Sequence, residues 1–424
     1  MSNTIIKSVH ARHLIDCKLR GLVEVDIITN SGSLGRAAAP TGTSVGSGEA
    51  FVMRDDPPAR FLGTSVFKAV DIVNNIIAPA IIGMDASNQI AIDNFLLELD
   101  GTPLKTKLGG NCIYSVSVAC AAASASAQNI PLYQYWAQGQ IETLPLPVCN
   151  MFNGGKYGKI NMAFQEFGVI PYKAGDMQEA VEILVTMFNE VGKLVQKKQN
   201  GVAPYIANYF GHVPISDDPI EHFEIISEAA ANLGYTDKIC YSTDCAAGEF
   251  YNKNSMKYSF KGKEVTAEDL IDYVKRMTEL FPFYNVEDIL EDNDFNGFAG
   301  AAKTIKRTHL IGDDLICTDV SRLKKALDLG ACEGLIFKPN QIGTISQSFD
   351  TFNYAKENDL IVIPSVRAGG TLEDPVKDMA IALDVSVLKC GAPRSGERVS
   401  CLQTLLRASD LFPNAKLHEI KLKL

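Results

Sequence analysis

The chain has 424 residues, 46% of them hydrophobic and 21% charged, an ordinary globular composition with apolar material for more than one core. Lys and Arg number 40 against 50 Asp and Glu, a net charge of -10. The basic residues are dispersed, which argues against nucleic acid or an anionic membrane surface as partner but leaves room for a small anionic substrate at a locally cationic site. Ten cysteines fall without a CxxC pair or a Cys/His cluster at zinc spacing, so they read as reduced, packed thiols. With neither a leader-like segment nor an apolar run of membrane-spanning length, the expected compartment is the cytoplasm.

In chain order, Leu22 to Thr29 alternates as a half-buried strand ending at Asn30-Ser31-Gly32, and Leu34 to Ala39 forms a second. Pro40 to Gly48, dense in glycine and hydroxyl residues, is expected to be a mobile, exposed loop suited to backbone approach to an anion or a metal. Ser65 to Ile81 and Ser87 to Leu99 show helical spacing, Asp100-Gly101-Thr102-Pro103 is a stop, and Gly109 to Ala127 is a small-residue helix fit for close packing. Strands followed by helices are an α+β signature, so residues 1–140 read as an α+β capping domain. His10 and His13 lack a third ligand nearby and read as surface or interface residues; Tyr133, Tyr135 and Trp136 read as packing at the domain boundary.

The rhythm changes at Thr143-Leu144-Pro145-Leu146-Pro147. From there strand-like runs alternate with helical ones, among them Glu166 to Pro171, Lys238 to Asp244, Asn285 to Glu287, Leu310 to Asp313, Gly334 to Lys338, Leu360 to Pro364 and Ser386 to Lys389. Residues 141–424 therefore predict a closed parallel β/α (TIM-like) barrel, whose sites are built at the C-terminal ends of its strands. Asp244, Glu287 and Asp313 each close such a run, one strand-plus-helix unit apart. Three carboxylates aimed into one mouth repel, and a hard divalent ion such as Mg²⁺ is the simple neutraliser. Lys338 ends the buried run Leu335-Ile336-Phe337 one unit later, and Lys389 ends Ser386-Val387-Leu388. Two lysines facing a metal-carboxylate cluster suit removal of a proton next to a carboxylate, with one lysine lowering the pKa of the other so that it works as a base near neutrality.

Several stretches give this pattern a family likeness: Leu22-Val23-Glu24-Val25-Asp26, Leu97-Glu98-Leu99-Asp100-Gly101-Thr102, Ile130-Pro131-Leu132-Tyr133, Asn153-Gly154-Gly155, Gln165-Glu166-Phe167, Gly312-Asp313-Asp314-Leu315, Lys338-Pro339-Asn340-Gln341-Ile342-Gly343 and Gly391-Ala392-Pro393. Over nearly its whole length the chain resembles the enolase family, which implies an enolase-like α/β fold with a capping domain before a β/α barrel. The resemblance implies Mg²⁺ held by Asp244, Glu287 and Asp313, with loop residue Ser44 helping to bind a second ion. It implies Lys338 as general base, Lys389 on the substrate carboxylate, Arg367 on the phosphate, and Gln165 and Glu166 beside the substrate. It further implies a small phospho- or phosphono-carboxylate substrate and a homodimer or homo-octamer.

The chain departs from the family on one side of that site. Tyr157 stands where enolases carry a histidine after Asn-Gly-Gly-Ser, with Lys156 in place of the serine. Ala207-Asn208-Tyr209-Phe210-Gly211 takes the place of the Gly-Asp-Glu-Gly-Gly loop, putting Tyr209 at the acid that assists hydroxyl departure. Ser365-Val366-Arg367-Ala368-Gly369 replaces His by Val366 and the second Ser by Ala368. Loss of a positioned general acid costs ~10²- to 10⁴-fold, so efficient dehydration of 2-phosphoglycerate is not expected. The expected function is a divergent, Mg-dependent lyase giving an enolpyruvate product, with carboxyphosphonoenolpyruvate synthase of phosphonate biosynthesis as one such activity. The alternatives are a slow phosphopyruvate hydratase and a non-catalytic relative with a binding role, the latter disfavoured by the electrostatic cost of an unused acid trio.

Overall fold

The computed structural model describes residues 3–43, 46, 48–57, 60–158 and 162–423. Strands β1 (Ile6–Ile15), β2 (Gly21–Thr29) and β3 (Leu34–Ala38) form an antiparallel sheet in the order β1-β2-β3. Alternation along β2 explains its position. Val23, Val25 and Ile27 are fully buried in the core, while Glu24 and Asp26 point the other way and ion-pair with Arg12 on β1 and Arg36 on β3. Arg36, then Arg12, holds the Asp26 carboxyl below the usual carboxylate range.

Helices α1 (Gln89–Asp100) and α2 (Gly110–Ala127) cover this domain. The segment expected to be one helix over Ser65 to Ile81 is instead Phe67–Ile72, a π-helical Val73–Ile77 and Ala78–Ile81. The small residues of α2 let it lie directly on β3, where a Cβ added at Gly35 would come within 2.1 Å of the Ala119 carbonyl oxygen and 2.2 Å of the Ala123 nitrogen. His13 is half-buried, its ring stacked 4.6 Å from both Phe61 and Phe67, which themselves lie 6.4 Å apart.

Beyond residue 140, eight strands make the barrel: β4 (Leu146–Asn153), β5 (Glu166–Ile170), β6 (Cys240–Asp244), β7 (Phe283–Glu287), β8 (His309–Gly312), β9 (Gly334–Phe337), β10 (Ile361–Pro364) and β11 (Val387–Gly391). They follow the order β10-β9-β8-β7-β6-β5-β4-β11, and a parallel bridge between Ser365 and Lys389 joins the two ends. The expectation of an all-parallel barrel is corrected at β5, which runs antiparallel to both β4 and β6. A reversed strand presents its first residue, rather than its last, at the mouth. That is why Glu166, which opens β5, pairs with Asp244, which closes β6. Strand β4 lies in the proline-rich stretch taken as a boundary, and its Pro147 is opposite Leu388 in a parallel pairing. The structure also adds helices Pro219–Leu233, Phe295–Thr304 and Gly396–Leu411 and a three-stranded hairpin between Tyr251 and Val265, none of which was expected.

The loop after β3 is another correction. Far from being exposed, Thr41 and Glu49 are buried, because backbone bonds between Thr41 and Gly369 (2.9 and 2.8 Å) and from Ala50 N to Gln341 O (2.7 Å) dock the described part of this loop on the barrel. Tyr133 packs edge-on to Phe412 and Trp136 to Phe349 across the same junction. All ten cysteines are free and all but Cys17 are buried, while no helix among the described residues is long and apolar enough to cross a membrane.

The absence of space between β3 and α2 has a measurable consequence. Gly35→Ala forces backbone apart at the centre of the first domain and is expected to cost at least about 1–3 kcal/mol, read as a lower denaturant midpoint.

Candidate active site

Asp244, Glu287 and Asp313 arrive at the barrel mouth from β6, β7 and the residue after β8, all buried, with carboxylate oxygens within 4.8 Å of one another. Asp313 is aimed by its neighbour: Asp288 accepts from the backbone N–H groups of Asp313 (2.9 Å) and Asp314 (2.7 Å). Gln165, just before the reversed strand, donates through Nε2 to Asp244 (3.0 Å). Lys338 Nζ bonds Asp313, and Lys389 Nζ lies 2.9 Å from Glu166 and 2.8 Å from Glu287. Four carboxylates thus share two ammonium groups.

Burial, then Glu287, holds the Asp244 carboxyl well above its ordinary value; burial likewise pushes Glu287 up to about 7 against the opposing pull of Lys389. Both lysines move the other way from the expectation that one depresses the other. Burial alone would lower them, but Asp313 raises Lys338 and Glu166 with Glu287 raises Lys389, because each faces carboxylates rather than its fellow amine. Both are therefore ammonium ions while the acids have no other counter-charge.

The acid trio fits a hard divalent cation. Its donors are all oxygen, Asp313 Oδ1 is buried without a hydrogen-bond partner among the described residues, and Asp244 has no ion-pair partner among them.

Arg367 is fully buried at the same mouth, pairing with both oxygens of Glu49 (3.0 Å each) and donating to Asn340 Oδ1 (3.0 Å). Glu49 was missed by sequence reasoning; an acid in a glycine-rich loop carries no local signal of what it will face. It completes a buried relay in which Lys338 N donates to Thr318 Oγ1 (2.9 Å), Thr318 to Gln341 Oε1 (2.8 Å) and Gln341 Nε2 to Glu49 Oε1 (3.2 Å).

The remaining wall is aromatic. Tyr157 and Tyr209 stack with centroids 4.7 Å apart and, with Ala207, Val213 and Ala368, form a small apolar cluster next to Val366. Burial pushes the Tyr209 phenol up to about 12, and its hydroxyl donates to the Val366 carbonyl (3.3 Å). Lys156, replacing the family's serine, reaches outward to Glu249. The pocket thus brings together Tyr157, Gln165, Glu166, Tyr209, Asp244, Asp313, Lys338, Arg367 and Lys389. Glu287 sits behind Lys389, and the Ser44 assignment lies outside the described residues.

An acid trio and two lysines at the mouth of a β/α barrel are the side chains that a metal-assisted lyase acting next to a carboxylate uses. Comparison with known proteins specifies the class. Residues 6–136 match the family model of the enolase N-terminal domain, and residues 141–421 match that of the enolase C-terminal TIM barrel domain. Among similar proteins are the enolases of Methanococcus aeolicus (38% identical over 405 residues, 96% of this chain and 95% of the relative), Methanosarcina barkeri (37% over 406 residues, 96% and 94%) and Methanocaldococcus jannaschii (37% over 402 residues, 95% and 94%). The chain belongs to the enolase family and is an enzyme of the hydro-lyase type, in a family that depends on Mg²⁺.

The raised acids give a pH signature. A carboxyl whose folded pKa lies above its ordinary 4.5 adds stability below that value and loses it as pH rises through the folded pKa, here about 7 for Glu287. Without metal, melting temperature should fall as pH rises from about 5 to about 8; saturating Mg²⁺ should suppress the fall, and Mg²⁺ affinity should rise over the same interval. Asp244→Asn should leave the chelated protein at least as stable while abolishing the Mg²⁺-induced shift. Thermal denaturation with chelator or Mg²⁺ reads both outcomes.

Proposed function

We propose that this enzyme removes the α-proton of a 2-phosphoglycerate-like acid and expels the β-hydroxyl to give an enolpyruvate product. The observation that carries this reading is the placing of Lys338 on Asp313 and of Lys389 between Glu166 and Glu287, both lysines bordering the carboxylate trio. A Mg²⁺ ion held by Asp244, Glu287 and Asp313 would supply positive charge beside the substrate carboxylate. Lys389 binds that carboxylate, Lys338 takes the proton, and Arg367 receives the phosphate in place of Glu49. Gln165 orients Asp244, Glu166 and Tyr209 flank the departing hydroxyl, and Tyr157 shapes the wall beside it. Ser44 completes the set as the residue that would help bind a second ion.

The altered wall favours a second substrate. A site with Tyr157, Tyr209, Val366 and Ala368 in place of polar groups suits a phosphono-carboxylate, as in carboxyphosphonoenolpyruvate synthesis. We further propose a cytoplasmic homodimer or homo-octamer, the assembly usual in the family, with domain limits at residues 1–140 and 141–424.

Lys338→Ala separates these ideas from a binding role. It should abolish exchange of the substrate α-proton with deuterated solvent, a loss of at least ~10²-fold, while leaving Mg²⁺ binding intact. Unchanged exchange removes Lys338 as the base. Product formation from 2-phosphoglycerate, measured beside an archaeal enolase, should be slower by ~10²- to 10⁴-fold; an equal rate would show that the aromatic wall is tolerated and that the ordinary hydratase reaction is the function.

A further inference from the structure

The turn between β1 and β2 is built as a cationic platform beneath the loop at Thr41 to Thr43. Asp16 Oδ1 accepts from the backbone N–H groups of Lys18 (2.8 Å) and Arg20 (2.9 Å), and its other oxygen accepts from Arg20 Nε (2.9 Å). Arg20 then reaches the loop: Nη1 donates to Gly42 O (3.0 Å) and Thr43 Oγ1 (3.2 Å), and Nη2 to Thr41 O (3.3 Å). Gly369 closes the platform from the barrel side, where a Cβ would sit 2.1 Å from Arg20 Nη2, Asp16 Oδ2 and Thr41 Oγ1. Lys18 Nζ donates to Thr43 Oγ1 (3.2 Å) and stands 4.5 Å from the centroid of the Tyr157 ring and 5.6 Å from that of Tyr209.

A threonine hydroxyl has two lone pairs and one proton. Both lone pairs of Thr43 face cationic donors, so its own O–H must point away from them. That O–H has no acceptor among the described residues, and Thr43 lines the pocket. Hydrogen bonds donated by charged groups withdraw electron density from the oxygen that accepts them, making its O–H a stronger donor.

On the reading of the site given above, the substrate's carboxylate meets Lys389 and its phosphate meets Arg367, which leaves the β-hydroxyl without a cationic partner. Lys18 lies on the Tyr157 and Tyr209 rings, the same side as that hydroxyl. We propose that the Thr43 hydroxyl, polarised by Lys18 and Arg20, is the hydrogen-bond donor that receives the substrate's β-hydroxyl oxygen. Burial, then the neighbouring Arg20 and Arg398, lowers Lys18 to about 8, so it is still an ammonium donor at neutral pH. Thr43 thereby becomes a specificity-determining contact for substrates with a β-oxygen, and Lys18 and Arg20 are positioning residues.

The test compares Mg²⁺-dependent calorimetric binding of 2-phosphoglycerate with that of 2-phospholactate, which lacks the β-hydroxyl, in a Lys338→Ala background so that neither is consumed. Adding Thr43→Val should weaken 2-phosphoglycerate roughly 10- to 100-fold and leave 2-phospholactate within about twofold, while Thr43→Ser retains the preference. Lys18→Met should shrink the preference and Lys18→Arg keep it. Equal weakening of both ligands by Thr43→Val, or none, overturns the assignment of Thr43 alone. Failure of both ligands to bind before any Thr43 substitution overturns the substrate class and this assignment with it.

Discussion

Four buried carboxylates crowd one end of a barrel that supplies two ammonium groups to face them, and this imbalance organises the molecule. Glu166, Asp244, Glu287 and Asp313 come from consecutive strands of the sheet, so the repulsion among them cannot relax by moving one loop away. Burial and mutual repulsion hold Asp244 and Glu287 above their ordinary values, and both lysines lie on acids. Such a site is costly as architecture and useful as a receptor, since a divalent cation removes the excess charge and returns the lysines to other work.

The first domain supplies more than a cover. Glu49 takes the guanidinium of Arg367, Asn340 Nδ2 donates to Pro40 O (3.1 Å), and Arg20 grips Thr41, Gly42 and Thr43. The relay from the Lys338 backbone N–H through Thr318 and Gln341 to Glu49 then ties the backbone at the end of β9 to a carboxylate of the other domain. Buried networks of this kind fix geometry, because breaking any member leaves an unpaired polar group in a low-dielectric interior. Docking of the first domain thus fixes the backbone that carries Lys338.

The acid trio was legible because each member follows a short apolar run, and a strand's last residue in a parallel barrel has only one place to go. The same logic located Lys338 and Lys389. Strand β4 was hidden by Pro145 and Pro147, which normally argue against an interior strand; here Pro147 is in a parallel pairing opposite Leu388. The reversal of β5 had no apolar signature, since its four apolar or small residues, Phe167 to Ile170, read alike in either direction, yet it decides which end of the strand meets Asp244. The loop at Thr41 to Glu49 was misjudged for a related reason. Its composition describes a flexible segment, whereas its burial comes from partners hundreds of residues away, on Gln341, Arg367 and Gly369.

The two halves of the site carry different physics. Around Lys338 and Lys389 each ammonium has a carboxylate within reach, Asp313 for the first and Glu166 with Glu287 for the second. Around Tyr157 and Tyr209 the side chains that line the pocket are neutral, and the cations stand behind them: Lys18 over the Tyr157 ring and Arg398, fully buried, 4.4 Å from the centroid of the Tyr209 ring. On the proposed reading, a carbon–oxygen bond breaking on this side would leave negative charge beside two phenols stacked on one another. Burial pushes the Tyr209 phenol up to about 12 and holds the Tyr157 phenol well above its ordinary value, so both release a proton poorly at neutral pH. The proposed Thr43 hydroxyl, accepting from Lys18 and Arg20, would bring the field of those cations to that charge.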